Sequence, residues 1–258
     1  MEKDSLHLWC AYPGDLLDEE AAQACFRLLS EDELSRWRGY KFDRNRREYL
    51  ATHALARMAL SRALGLAPDS LRFQLGNHGK PFLDPECGLH FNLSNSVELV
   101  VCLLGESGEL GVDVEPRRRA GSIREVAGRM FSPSELKQLN NLPENQQLER
   151  CVQLWTLKEA YIKARGMGFR LPLAEFSFIF DESGRIRLQL GSILNDDPAR
   201  WRFCVMEHAE HCIALMVDNT ATPRLHVWEA RPPFAPPRLV DSLCEVWHPC
   251  SPLRVENV

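Results

Sequence analysis

Gly111-Val112-Asp113-Val114-Glu115 alternates apolar and acidic residues with a period of two. That is the pattern of a β-strand, whose successive side chains point to opposite faces. Val112 and Val114 then turn to a core, while Asp113 and Glu115 share the other face. Two carboxylates side by side repel each other unless a cation lies between them or the face is wet. From this segment alone, a half-exposed strand with its polar edge outward and a cation site both stand. The chain enters the segment from an apolar stretch, Val97–Leu104, through a turn at Gly105–Gly108, and the two stretches read as a hairpin.

Further along, Ser132-Pro133-Ser134-Glu135 is a helix start, with a serine cap, proline at the first helical position and glutamate at the third. A long helix follows from Pro143 to Arg165 and stops at Gly166. Within it Trp155, Glu159 and Lys163 recur every four residues and share one face. A glutamate and a lysine at that spacing make an ordinary surface ion pair. The indole on the same face argues instead for a face that looks at protein or ligand.

The same outline occurs upstream. Leu6–Tyr12 reads as a strand, Asp18–Arg36 as a helix, and a longer helix runs from a cap at Asp43 to Gly65. Strands are predicted at Leu71–Leu75 and His90–Leu93. After the second long helix they are predicted at Phe176–Phe180, Arg185–Leu190, Trp201–Met206, Cys212–Val217 and Leu225–Trp228. The chain therefore divides into two α+β halves, each with a long helix and an antiparallel meander, without a literal sequence repeat. Beyond Asp218 prolines crowd the chain, and an extended surface arm is expected there.

The 258 residues are 45% apolar and 26% charged, ordinary for a soluble globular protein. No apolar run approaches the roughly 18 residues that span a bilayer, and the first residues carry no export signal; a cytoplasmic protein is expected. Nine scattered cysteines without a C-x-x-C pair read as buried, reduced thiols. A net charge of −5 excludes a nucleic-acid binder held by bulk attraction. Cations nevertheless cluster at Arg36–Arg47 and at Arg117–Arg119, an arrangement that suits either a solvated face or a phosphate-rich ligand.

Asp113 and Glu115 from a strand, with Glu159 from a helix, would hold magnesium, which takes a few carboxylates together with substrate phosphates. Manganese suits the same oxygen ligands. Lys80, Lys163 and the Arg36–Arg47 stretch would meet anionic oxygens, and a metal flanked by cations is the equipment of phosphoryl transfer.

GVDVEP, FSPSE and LWTLKEAYIKARGMG, preceded by HGKP at His78–Pro81 and FNLSNS at Phe91–Ser96, resemble the 4'-phosphopantetheinyl transferase family of the surfactin-synthetase-activating type. Order and spacing match across roughly residues 5–218. The resemblance implies a pseudo-twofold monomer with halves 1–110 and 111–218, the second carrying the metal, and a Pro-rich extension over 219–258. It implies coenzyme A in the cleft between the halves. By position, Asp113, Glu115 and Glu159 become magnesium ligands on its pyrophosphate. Gly79, Lys80 and Pro81 line the adenine end, Ser94 lies by the phosphates with Arg47 and Arg36, and Lys163 contacts the phosphate or pantetheine side. Glu159 is expected to take the proton from a serine of an apo acyl or peptidyl carrier protein, releasing 3',5'-ADP. Asn95 stands where the family pattern has histidine, so one cationic phosphate contact is missing there. Arg117–Arg119 and Arg124 are candidates to meet an acidic carrier, with Met130, Phe131, Met167 or Phe169 completing the contact. The competing readings are a metal-dependent phosphohydrolase and a non-catalytic coenzyme A- or carrier-binding relative.

Overall fold

The computed structural model describes residues 5–76, 78–85, 87–106, 108–218, 223–232, 238–243 and 248–249. The first half runs β1 (Ser5–Ala11), α1 (Glu19–Phe26), α2 (Glu31–Gly39), α3 (Asp43–Leu64), β2 (Phe73–Leu75), β3 (Pro81–Leu83), β4 (His90–Asn95) and β5 (Val100–Gly105). The second runs β6 (Leu110–Pro116), α4 (Ala120–Met130), α5 (Pro133–Asn141), α6 (Glu144–Arg165), β7 (Phe176–Phe180), β8 (Ile186–Leu190), β9 (Trp201–His208) and β10 (His211–Asp218). The order of strands and helices is the same in both, and so is the pairing. β5 lies between β1 and β4, β10 lies between β6 and β9, and β2–β3 and β7–β8 form separate hairpins. The expected α+β fold of two similar halves is what the structure has.

Alternation along the strands decides the layering. Leu8 and Cys10 of β1, Val101 and Leu103 of β5, Val112 and Val114 of β6, and Ile213 and Leu215 of β10 share one core between the two sheets. The opposite faces meet helices: Trp9, Val100 and Cys102 pack in the core that contains Leu55 and Leu60 of α3, and Ala214 and Met216 in the core that contains Leu157 and Tyr161 of α6. The layers are thus helix, sheet, sheet, helix.

Four expectations change. β5 and β6 are not a hairpin, because β1 and β4 already flank β5 and β6 pairs with β10; the chain crosses from one sheet to the other, and both strands turn apolar residues into the shared core. The stretch 18–36 is two helices, because Ser30 and Glu33 form a capping box that starts α2 afresh. Asp43 is the first residue of α3 rather than its cap, which is Phe42. The region after Asp218 is not only a surface arm: β11 (Arg224–Glu229) runs parallel to β1 and buries Leu225 and Val227 between the sheets. Beyond it, β12 (Arg238–Leu243) pairs with β11 and β13 (His248–Pro249) with β9.

Cys10, Cys25, Cys102, Cys151, Cys204 and Cys212 are buried free thiols and Cys87 is an exposed one. No helix among the described residues is long and apolar enough to cross a membrane.

Candidate active site

Gly111 fixes where α6 crosses β6. A β-carbon there would lie 2.1 Å from the Ala160 carbonyl oxygen and 2.5 Å from the Ala164 nitrogen, so the helix backbone rests directly on the strand at that point. Asp113 and Glu115, two and four residues on along the same face, therefore lie under α6 beside Trp155, Glu159 and Lys163. Both are buried, Asp113 at 5% and Glu115 at 8% exposure, which removes the half-exposed-strand reading.

Asp113 Oδ1 accepts from Lys163 Nζ at 2.7 Å and from Ser94 Oγ at 2.9 Å, and Lys163 Nζ also donates to Ser94 Oγ at 2.7 Å. Ser94 stands at the edge of the first sheet and belongs to the seam between the halves. Its Oγ accepts from the Val114 N–H at 3.2 Å, as Asn92 Oδ1 does from the Val112 N–H at 2.9 Å. Glu115 accepts two bonds from Arg119, at 2.6 and 2.7 Å, and a third from Trp155 Nε1 at 3.0 Å. Glu159 is pushed up to about 7, first by burial and then by the Asp113 charge, against the pull of Lys163. Burial and the same Asp113 charge raise Glu115, which Arg119 opposes.

Among the described residues no three His, Cys, Asp or Glu side chains stand together at metal-binding spacing; Glu115 is turned to Arg119 and Trp155. At this centre two oxygens are nevertheless buried without a hydrogen-bond partner, Asp113 Oδ2 and Glu159 Oε1. Buried acceptors without partners are costly, and two carboxylates are the complement that magnesium commonly takes beside phosphates and water. The donor set of Asp113 and Glu159 fits such an ion.

The other expected site residues are spread around this centre. Arg36 and Pro81 line a cavity of about 550 Å³ that is also bounded by Phe91 and Leu93 of β4, the strand that carries Ser94 and Asn95. Arg47 is half-buried on α3 and does not line it. Gly79 makes a left-handed turn with φ +83°, its N–H donating to Gly76 O. Lys80 turns its ammonium to Leu110 O at 2.8 Å and Ala164 O at 3.3 Å, and burial pulls it down to about 8. Its charge is spent on stitching the start of β6 to the end of α6. Asn95 donates to Glu48 of α3, so a carboxylate lies beside the position where the family pattern has histidine.

Of the residues proposed to meet a carrier, Phe131 is buried at 2% exposure, and Met130 and Met167 pack against the second half's core; the Phe169 side chain lies outside the described residues. Arg117 pairs with Glu207, Arg118 with Glu98, and Arg124 donates to Asn140.

Sequence reasoning missed the bonds from Arg119 and Trp155 to Glu115 and the one from Asn95 to Glu48. Trp155 carried a signal, since it lies one turn before Glu159. Arg119 carried none, because it closes a tight 3-10 turn that follows the end of the strand at Pro116.

Residues 109–216 match the family model described as 4'-phosphopantetheinyl transferase superfamily, and residues 18–107 match 4'-phosphopantetheinyl transferase, N-terminal. The chain is 33% identical over 214 residues to the 4'-phosphopantetheinyl transferase HetI of Nostoc sp. (strain PCC 7120 / SAG 25.82 / UTEX 2576), covering 82% of this chain and 86% of that one. It is 28% identical over 185 residues to the 4'-phosphopantetheinyl transferase Sfp of Bacillus subtilis (strain 168), covering 72% and 81%. Among solved structures, a holo-(acyl-carrier-protein) synthase from Bacillus anthracis str. Ames in complex with CoA (3',5'-ADP) aligns with TM-score 0.37 and 18% identity, over 44% of this chain and 96% of that one.

Proposed function

This chain belongs to the 4'-phosphopantetheinyl transferase family, and we propose that Asp113, Glu159, Lys163 and Ser94 form the centre at which it transfers the 4'-phosphopantetheine arm of coenzyme A to a serine of an apo acyl or peptidyl carrier protein. The observation that carries the assignment is the pair of buried, unpartnered oxygens on Asp113 and Glu159 beside the Lys163 ammonium. Asp113 and Glu159 would hold magnesium or manganese, and Glu115, which keeps Arg119 and Trp155, would contribute at most through water. The ion, when bound, supplies neutralisation of pyrophosphate charge.

The remaining work falls to side chains. Glu159, in a buried and anionic setting, accepts the proton of the serine hydroxyl. The serine oxygen forms a bond to the β-phosphorus as the bond from that phosphorus to the bridging oxygen breaks, and the electron pair leaves with 3',5'-ADP. Lys163, held by Asp113 and Ser94, meets the charge that develops on the phosphoryl oxygens. The cavity lined by Arg36 and Pro81 takes the nucleoside end. Arg117 and Arg118, exposed and paired to the surface glutamates Glu207 and Glu98, are the cations an acidic carrier helix would recruit. A cytoplasmic monomer, with 1–110 and 111–218 as its halves and 219–258 as its extension, completes the reading.

The test is to mix the protein with an apo carrier domain, coenzyme A and magnesium and to weigh the intact carrier. A gain equal to the phosphopantetheine arm is expected. Nucleotide breakdown with the carrier mass unchanged would point to a hydrolase, and binding without either product to a module without catalysis.

A further inference from the structure

FSPSE has no part in the chemistry above, yet its glutamate is among the most completely buried charges in the protein. Glu135 is 0% exposed and Lys158 of α6, its partner, 1%. The Lys158 ammonium reaches three acceptors: Glu135 Oε2 at 2.9 Å, Leu173 O at 2.7 Å and Phe176 O at 2.6 Å. The Glu135 carboxylate also accepts from the Ser132 N–H at 2.8 Å and the Phe178 N–H at 2.8 Å. The knot therefore ties α6 to the start of α5, to the turn before β7, and to β7 itself.

Burial pushes the Glu135 carboxyl up and the Lys158 ammonium down, each toward neutrality, while the partner pulls back. Ion pairs this deep are poor contributors to stability compared with apolar packing. What they supply is direction, since three bonds from Lys158, one of them to a carboxylate itself pinned by two backbone N–H groups, hold one side of the helix. The other side of α6 needs that direction. Against Gly111 it presents the backbone of Ala160 and Ala164, a contact that fixes how closely helix and strand approach but includes no long side chain to fix the roll. Lys158 and Glu159 are consecutive, about 100° apart around the axis, so the angle at which Lys158 is tied sets the angle at which Glu159 leaves the helix.

We propose that the Glu135–Lys158 pair is the positioning device of the active site, setting the roll of α6 so that Glu159 and Lys163 face Asp113. The inference rests on Glu159 acting as described under the proposed function. Neither residue touches substrate; both act through α6.

The first half supplies a variant that keeps the fold. There Arg57 of α3 pairs with the capping-box glutamate of α2, Glu33, at 2.6 Å, and stands eight residues before the closing Gly65 as Lys158 does before Gly166. Arginine is thus compatible with this kind of place, where Arg57 reaches Glu33 and the Pro68 and Leu71 carbonyls, but its longer, planar fork places those donors differently from an ammonium and would shift the helix that carries it. Lys158→Arg is expected to melt near the wild type. Its kcat should fall about tenfold or more through misplacement of Glu159, with KM for coenzyme A within about threefold. Binding of Mn2+ to the free protein, read by electron paramagnetic resonance, should weaken in parallel. A folded K158R with wild-type kcat and wild-type Mn2+ affinity overturns the proposal.

Should K158R fold poorly, the neutral double variant Glu135→Gln/Lys158→Met decides. It should be more stable than either single variant, because no lone charge stays buried, yet remain slow; recovery of stability and kcat together would sink the idea. Failure of the underlying reading looks different, since the wild-type protein would then leave the carrier mass unchanged.

Discussion

The two halves share a frame and differ in what they place on it. α3 and α6 are each 22 residues long, and each closes on a left-handed glycine, Gly65 with φ 67° and Gly166 with φ 60°. Each carries a buried base tied to a capping-box glutamate from the helix before it. Next to that base stands Met58 in α3 and Glu159 in α6. Five residues past it stand Arg62 and Lys163. Under α3, β1 offers Trp9 and Ala11; under α6, β6 offers Asp113 and Glu115. The second half carries carboxylates at the sheet–helix interface where the first carries apolar residues, on a scaffold laid out alike.

The largest effect that tests this contrast is at the residue beside the base. Glu159→Gln should keep its far-ultraviolet dichroism and lose about a thousandfold in kcat. Met58→Leu, at the same place in α3, should stay within about twofold, as conservative apolar swaps are tolerated. Comparable losses in both would erase the distinction between the halves.

Next comes the crossing point. Gly111→Ala puts a methyl group where the α6 backbone already lies, so the helix must lift off β6. Turnover should drop about a hundredfold through misplacement, with a thermal midpoint lowered by the roughly 1–3 kcal/mol typical of overpacking. Native turnover in the alanine variant would show that α6 has room to spare.

The frame of the first half has its own signature. Burial opposes ionisation of Glu33, but bonds from His53, Arg57 and the Ser30 N–H outweigh it and hold the carboxyl down at about 2. A folded value below the unfolded one of about 4.5 means that this stabilisation is complete above that pH and fades as pH falls toward 2. Its size is on the order of 3 kcal/mol. Urea titrations between pH 6 and 3 should show the loss in the wild type, and a Glu33→Gln protein should show a flatter profile from a lower start.

The smallest effect lies at Asn95. Asn95→His should lower the apparent KM for coenzyme A only about twofold, because Glu48 stands ready to pair with an imidazolium. The double variant Glu48→Gln/Asn95→His should lower it further, and no change in either would make the position silent.

Most of this frame was legible in the residues. The period-two run at 111–115 fixed which side chains of β6 face the helix, and the four-residue recurrence of Trp155, Glu159 and Lys163 fixed which face of α6 looks back. What local pattern could not supply was pairing. An apolar strand followed by a turn and another strand looks the same whether the second lies beside the first or across from it, and β5 and β6 do the latter. The parallel seat of β11 beside β1 is set by contacts more than 200 residues apart in sequence, beyond any short-range signal. The break at Ser30 was readable, since it carries the same spacing of serine and glutamate as Ser132 and Glu135. α4 was harder to see, because its buried positions Ala120, Ile123 and Ala127 include two alanines and give a faint stripe.

Ser94 carries a consequence beyond its place at the centre. One hydroxyl oxygen takes the Val114 amide from across the seam, gives its proton to Asp113 and receives a bond from Lys163. A change in the gap between the sheets is therefore registered at once as a change in how firmly the aspartate is held. The seam between the two halves and the grip on the Asp113 carboxylate thus run through the same atom.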